Sequence, residues 1–369
     1  MKIKIDRQTF AQALAEVAPF APSKPVVMVL KNAKITTKDK WMKIEANDTQ
    51  ASMMKYIPML ECDMDGSFLI EITDINKFVQ KTKGETLDIE VEEEVVYIRH
   101  SKGKAEFQAM KADEFPSFNM PTEESTKITV PTSLLADAIA KGKSFILSDN
   151  LKPQLSGIYV FVRNGEFGYC ATDTRKLIHG HQTYDLPDAT DVHWLVMPSV
   201  ANAILTACKT AESATVDITE NNVQYSIGSV RIQSVQAKGA FPAFQRVIPQ
   251  DWMMECAVDK AELAESLNRL LLFCDASQCV KMDVSRMDMT LTVDNLDYGK
   301  KSVETICHGG CDGEITIGMS VPQFLICISV FNQGEILLRM SEPGRPIVFA
   351  QRDNEGFISL VMPMSLKNE

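Results

Sequence analysis

The chain has 369 residues, 38 of them basic and 49 acidic, for a formal net charge of −11, with 45% hydrophobic and 24% charged side chains. This length is too great for one ordinary core and the composition is globular, so two or three folded domains are expected and disorder is not. The acidic balance excludes a general basic coat for nucleic acid, though a minority of lysines gathered on one face remains compatible with it.

Taken in chain order, one pattern comes round three times. Residues 5–20 read IDRQTFAQALAEVAPF, residues 130–145 VPTSLLADAIAKGKSF and residues 258–273 VDKAELAESLNRLLLF. Each window opens on a β-branched residue and closes on Phe. Each also places apolar side chains four apart: Phe10 and Leu14, Leu135 and Ile139, Leu263 and Leu267. That spacing predicts an amphipathic helix, with Asp6, Thr132 or Ser133, and Asp259 as N-caps.

A second helical window follows in each copy, beginning at Asp74, Ser199 and Ser320. Apolar residues stand one, four and five positions later (Ile75, Phe78, Val79; Val200, Ala203, Ile204; Val321, Phe324, Leu325). Pro322 falls within the first turn, where proline is tolerated. Between the landmarks lie alternating stretches, among them residues 86–91, 214–218 and 289–293, which read as half-buried strands. Breaks such as Asn164-Gly165 and Asn221-Asn222 separate them. The copies close on Phe115-Pro116, Phe241-Pro242 and Met362-Pro363. Markers in one order at a period of about 125 residues define a repeat. The expected fold is therefore α+β: units 1–125, 126–250 and 251–369, each with two helices and antiparallel sheets.

Nine scattered cysteines read as free thiols of a reducing cytosol, not as a disulfide framework. No signal core or run of membrane-spanning length is present, so a soluble cytoplasmic protein is expected.

Three segments carry a more specific likeness. They are Ala171-Thr172-Asp173-Thr174-Arg175-Lys176-Leu177, the stretch from Phe241-Pro242 to Arg246-Val247-Ile248-Pro249, and the end Leu360-Val361-Met362-Pro363-Met364-Ser365-Leu366. In order and spacing they resemble signatures of the bacterial DNA polymerase III β subunit, the β sliding clamp family. There the segments read Ala-Thr-Asp to Arg-Leu, Phe-Pro to Arg-Val-Ile-Pro, and Val-Met-Pro-Met-Arg-Leu. The chain departs from the pattern at Thr174-Arg175-Lys176, where the family usually has Gly-His-Arg. It departs again at Ser365, and in the extension Lys367-Asn368-Glu369.

The resemblance implies a non-catalytic processivity factor of DNA replication, without metal or cofactor. It implies a head-to-tail homodimer in which six units close a ring around duplex DNA, read without sequence preference. DNA polymerase, clamp loader and other proteins with clamp-binding motifs would be its partners. Lys24, Lys77, Lys81, Lys141, Lys143, Lys152, Lys209 and Arg269 are the expected DNA-facing residues, with Lys83 beside them. Basic residues near helix C-termini also answer the helix dipole, so each has a structural reading too.

The family's peptide cleft maps onto Leu155, Thr172, Leu177, Pro242, Val247, Leu360, Val361, Met362, Pro363 and Met364, with Arg175, Lys176 and Arg246 on its rim. By strand alternation, about half of the 361–364 side chains should instead turn into a core. Dimer contacts are expected at Leu271, Leu272 and Phe273, facing the strand around Phe107. The competing expectation is an enzyme on the same scaffold, with a metal held by His179 and His181 or by Cys307 and Cys311. Zinc needs three or four ligands, and no second pair stands at a fitting spacing.

Overall fold

The computed structural model describes residues 1–116, 125–147, 152–184, 191–295 and 298–366. Lys367, Asn368 and Glu369 lie outside the described residues. Six α-helices occur among the described residues, two in each sequence repeat: α1 (Arg7–Val17), α2 (Ile72–Lys81), α3 (Thr132–Gly142), α4 (Pro198–Cys208), α5 (Lys260–Leu271) and α6 (Val321–Ser329). No helix among the described residues is long and apolar enough to cross a membrane.

The helices form where the apolar period places them. Helix α1 buries Phe10, Ala11, Ala13, Leu14 and Val17, and α5 buries Leu263, Leu267 and Leu270. Asp6 caps α1 by accepting from the Thr9 N–H at 2.7 Å, and Asp259 caps α5 by accepting from the Glu262 N–H at 2.9 Å. Each carboxylate satisfies a first-turn donor that has no partner inside the helix.

Of the other helix starts read from the sequence, the structure moves those at Thr132, Asp74 and Ser199 and keeps the one at Ser320. Thr132 already lies inside α3 and donates its hydroxyl to the Ala211 carbonyl at 2.7 Å. Helix α2 starts at Ile72 on Glu71, which leaves Asp74 in the first turn, where its charge complements the helix dipole. Helix α4 starts at Pro198 on Met197, so Ser199 is internal, while Ser320 holds the N-cap place of α6 without a side-chain bond. Proline at the first or second helical position fixes a suitable φ and removes a donor that would go unpaired, and a serine cap is then less needed.

By density of contacts the chain forms two compact units: residues 1–136 with 197–236, and residues 137–196 with 237–369. The first unit holds one sheet of 13 strands, running from Thr126–Pro131 at one end to Glu61–Cys62 at the other. Within it the strand Val230–Val235, from the second repeat, pairs antiparallel with Ala51–Pro58 from the first. The sheet is thereby continuous across a repeat boundary.

The second unit holds an eight-stranded and a four-stranded sheet. In the larger, Lys176–Thr183 of the second repeat pairs with Asn354–Val361 of the third, placing Leu177 opposite Leu360 and Lys176 opposite Val361. This register brings two of the three sequence signatures side by side.

Candidate functional site

The site is assembled within the second unit around the turn that joins strand Glu166–Thr172 to strand Lys176–Thr183. Several bonds fix this turn. The Thr172 hydroxyl donates to the Lys176 carbonyl at 2.7 Å and accepts from the Thr174 N–H at 3.1 Å. Asp173 Oδ1 accepts from the Arg175 and Lys176 N–H groups, each at 2.9 Å, and its Oδ2 takes the Lys176 ammonium. Asp173 therefore serves as a turn residue bonding nearby backbone, which is how short acidic side chains shape loops.

Thr174 has φ of 79°. A β-branched residue in this left-handed region is strained, and it persists only where its surroundings over-determine it. Beyond the turn, the Met362 N–H donates to the Arg175 carbonyl at 2.7 Å. The turn and the end of the last strand are thus locked together.

Below this frame lies an apolar floor. Leu177, Leu360, Val348, Cys170 and Phe244 form one buried cluster, with Phe241, Tyr159, Phe161, Ile248 and Ile358 packed against it. Phe244 is the pivot of the wall formed by residues 241–248. Its carbonyl accepts from the Val247 N–H at 3.0 Å, and its ring lies 4.9 Å from that of His179. Phe241 stacks on Tyr159 at 4.7 Å. Above the floor Pro242, Arg246 and Val247 are exposed, Val247 at 47% of its surface, and Met362, Pro363 and Met364 are half-exposed.

The three signature segments thus share a buried apolar cluster, with half-exposed methionines at 362 and 364 and exposed guanidinium groups at Arg175 and Arg246. Methionine suits a surface that must fit more than one partner.

Residues 1–121 match the family model of the DNA polymerase III beta subunit, N-terminal domain, and residues 245–365 match that of its C-terminal domain. The chain belongs to the DNA polymerase III β-subunit family. Its relatives include the beta sliding clamp of Bacillus subtilis, 25% identical over 99% of both chains, and that of Treponema pallidum, 22% identical over 99% of both. Among solved structures, the DNA polymerase sliding clamp of Bacillus subtilis superposes with a TM-score of 0.92 at 22% identity over 100% of both chains. A Pseudomonas aeruginosa DnaN sliding clamp bound to griselimycin superposes at 0.95 with 16% identity, over 99% of this chain and 100% of that one. The fold is that of the sliding clamps.

The structure sorts the β-subunit cleft residues anticipated from sequence. Leu177, Leu360, Val361 and Leu155 are core, at 3%, 1%, 0% and 2% exposure. Thr172 is buried by its role in the turn. Lys176 does not stand on the rim, because its side chain is buried, paired with Asp173 and aimed over the Phe145 ring. Of the three basic residues expected on the rim, Arg175 and Arg246 are exposed. Pro363 and Met364 lead to strand Ile315–Ser320, where the Met364 N–H donates to the Gly318 carbonyl at 2.7 Å. Gly318 is required there, since a Cβ would meet the Met364 carbonyl oxygen at 2.5 Å. Phe244, Val348 and Tyr159 were not anticipated. The aromatic spacing in Phe241-Pro242-Ala243-Phe244 was the available signal for the first.

Of the expected DNA-facing residues, Lys24, Lys77, Lys81, Lys143, Lys152 and Lys209 are exposed, with no ion pair among the described residues. Lys141 and Arg269 are engaged within the protein. Lys141 binds Asp137 at 2.9 Å and lies 4.3 Å over the Phe357 ring, while Arg269 clasps Glu304 with contacts of 2.9 and 2.8 Å.

Phe107 is half-buried and meets Phe78 edge-on at 5.5 Å. It lies on strand Gly103–Lys111, whose pairing with Gly66–Glu71 covers only Ala109 to Lys111, so the rest of that edge has no strand partner among the described residues. Leu271 and Phe273 are half-buried, and Leu272 is 77% exposed. A second open edge, missed in the sequence, is strand Lys300–Cys307, the end strand of the four-stranded sheet, with Val303 53% exposed.

The histidine pair has a structural role. His179 shares a hydrogen bond of 3.0 Å with the Tyr169 carbonyl, which only accepts, so its Nδ1 carries the proton. Burial pushes the His179 pKa down, and His181 stacks on it at 5.3 Å. His308 and Cys311 both bond to the Ser285 carbonyl, each at 3.1 Å. No group of three metal-ligating side chains occurs among the described residues.

Proposed function

We propose that the chain is a DNA sliding clamp: a homodimeric ring of units 1–125, 126–250 and 251–369 that encircles duplex DNA and tethers the replicative polymerase and other partners. The observation that carries this reading is the full-length correspondence with sliding clamps, 99% of both chains in sequence and 100% of both in structure. The ring has no chemistry of its own, and synthesis belongs to the partner it holds.

Two open strand edges, 103–108 and 300–307, support a head-to-tail dimer. Unpaired edges are templates for main-chain pairing, and a heterologous contact repeated around a closed circle gives a ring and not a filament. Exposed lysines on α2 and in the 24 and 152 loops support a lightly basic inner wall. Each phosphate contact adds sequence-independent attraction through counterion release. A topologically linked ring needs few such contacts, and many would brake it, which suits a chain of net charge −11.

The groove on the second unit is the partner site, taking a short peptide with large apolar side chains. Primer extension on a primed single-stranded circle tests the assignment. With polymerase and loader present, the protein should convert short products to full circles in a single binding event. Unchanged product length would reject it.

A further inference from the structure

We infer that the first compact unit carries a binding site for single-stranded DNA on the sheet face turned away from its helices, where Trp41 and Tyr56 stack on bases and Lys34, Lys38 and Arg231 meet phosphates. The site is separate from the peptide groove, and its existence does not depend on ring closure.

Strand register defines the face. Strand Trp41–Asn47 pairs with Asn32–Lys38 on one side and with Ala51–Pro58 on the other. Residues directly opposite in an antiparallel pair point to the same side of the sheet, and their neighbours along the strand point to the other. Met42, Ile44, Met53 and Ile57 are buried, and Lys55, on their side, reaches Glu16 of α1 at 2.8 Å, so that side meets the helices. The opposite side presents Lys38, Trp41 and Pro58 in one row and Thr36, Lys43 and Tyr56 in the next. In a third row Met54 stands opposite Arg231 of strand Val230–Val235.

The rings on this face are open. Of the three tryptophans, Trp194 is buried and Trp252 packs on the Arg339 guanidinium at 4.2 Å, whereas Trp41 is 52% exposed. Tyr56, half-exposed, lies on the next strand, diagonal to Trp41. Side chains so placed are about 7–8 Å apart, close to twice the ~3.4 Å rise per nucleotide of a stacked strand. Two bases of an extended strand can therefore each cover one ring.

The charge around the rings is positive. Lys43 is neutralised by Glu45 at 2.6 Å. Lys34, Lys38, Lys40 and Arg231 have no ion pair among the described residues. Set against Asp39 of the connecting turn and Asp65, which accepts the Asp39 N–H at 3.2 Å, these four leave two positive charges in excess. On a chain with 49 acidic and 38 basic residues, such a corner runs against the overall balance and attracts a polyanion. Duplex DNA keeps its bases stacked on one another and offers the rings nothing. An acidic peptide would meet the cations and leave the rings bare. Single-stranded DNA uses both, a phosphate track beside a stacking platform.

The test uses the full-length protein at low salt with a fluorescein-labelled oligothymidylate of about twelve nucleotides, within the usual span of such sites. Fluorescence polarisation should show binding that Trp41→Ala weakens about tenfold, the scale of one lost base–aromatic stack, and that Trp41→Phe largely restores. Duplex of equal length should bind wild type and Trp41→Ala alike. Lys38→Gln should lower the slope of log affinity against log salt by about 0.7, the single-strand value for one phosphate. No binding of the oligothymidylate, an unchanged affinity in Trp41→Ala, or an equal loss for the duplex overturns the inference. Labelled polyglutamate that binds and is as sensitive to Trp41→Ala would make the face a peptide site and overturns it too. None of these results bears on the clamp assignment, which primer extension tests separately.

Discussion

Replacing Met362 by alanine separates the cleft from the core more cleanly than any other single change. Its side chain is half-exposed at the edge of the groove, while its backbone N–H stays bonded to the Arg175 carbonyl whatever the side chain. Loss of a half-exposed methionine should cost the fold less than about 1.5 kcal/mol, the low end of burying such a side chain fully. A bound peptide would complete its burial, and truncating a central anchor site typically costs about 2 kcal/mol of binding. That is roughly a thirtyfold loss of affinity.

Leu177→Ala makes the contrast. Leu177 is 3% exposed within the Phe244 cluster, so its truncation should lower stability by about 2–5 kcal/mol and weaken binding only together with the fold. Urea unfolding and fluorescence polarisation on the same two variants decide the matter. If Met362→Ala binds the labelled peptide as tightly as the wild type, the groove has been misplaced and Met362 only finishes a strand.

Three further outcomes are expected. Thr174→Gly should stabilise the protein by about 0.5–1 kcal/mol, because relief of strain at φ 79° outweighs the greater freedom of glycine in the unfolded chain; a lower urea midpoint would contradict the strain argument. Asp6→Ala should cost about 1 kcal/mol through loss of the α1 cap. The Asp6 carboxyl is held below its ordinary pKa by bonds from the Thr9 hydroxyl and N–H. Its contribution is therefore present above the unfolded-state pKa and fades as pH falls through the lower folded value, and a stability difference from wild type that persists unchanged into strong acid would refute this. Leu272→Glu should yield folded monomers in sedimentation, since an unpaired charge cannot be desolvated cheaply at an interface, and an undisturbed dimer would remove Leu272 from the contact.

The repeat was legible because each copy must bury the same helical stripe, and burial preserves apolar period even where identity is lost. Strands 86–92, 213–218 and 288–295 were legible for the same reason, by alternation. Sheet continuity across the repeats was not, because the pairing of Val230–Val235 with Ala51–Pro58 joins residues far apart in sequence. Caps were legible where a carboxylate does the work, at Asp6 and Asp259, and misleading where proline opens the helix, as in α4; at α6 the position of Ser320 was legible but its side chain makes no capping bond.

At the cleft, the segments could be found but not the direction of each side chain. Lys176 reads as a surface charge until Asp173 and Phe145 are seen to enclose it. Phe244 reads as one aromatic among 17 phenylalanines until its ring is found on His179. Arg269 reads as a free cation because its partner Glu304 lies 35 residues away on another strand.

The central claim is a topological hold on DNA, and one measurement addresses it directly. The protein is loaded onto a nicked circular plasmid, freed of unbound chain by gel filtration in high salt, and its retention followed before and after a single restriction cut. A ring held by linkage stays on the circle, because salt weakens phosphate contacts but not encirclement, and it leaves within the time needed to slide off once the DNA is linear. Equal retention on circular and linear DNA, or loss from the intact circle as salt rises, would show a protein that clings to the duplex instead of enclosing it.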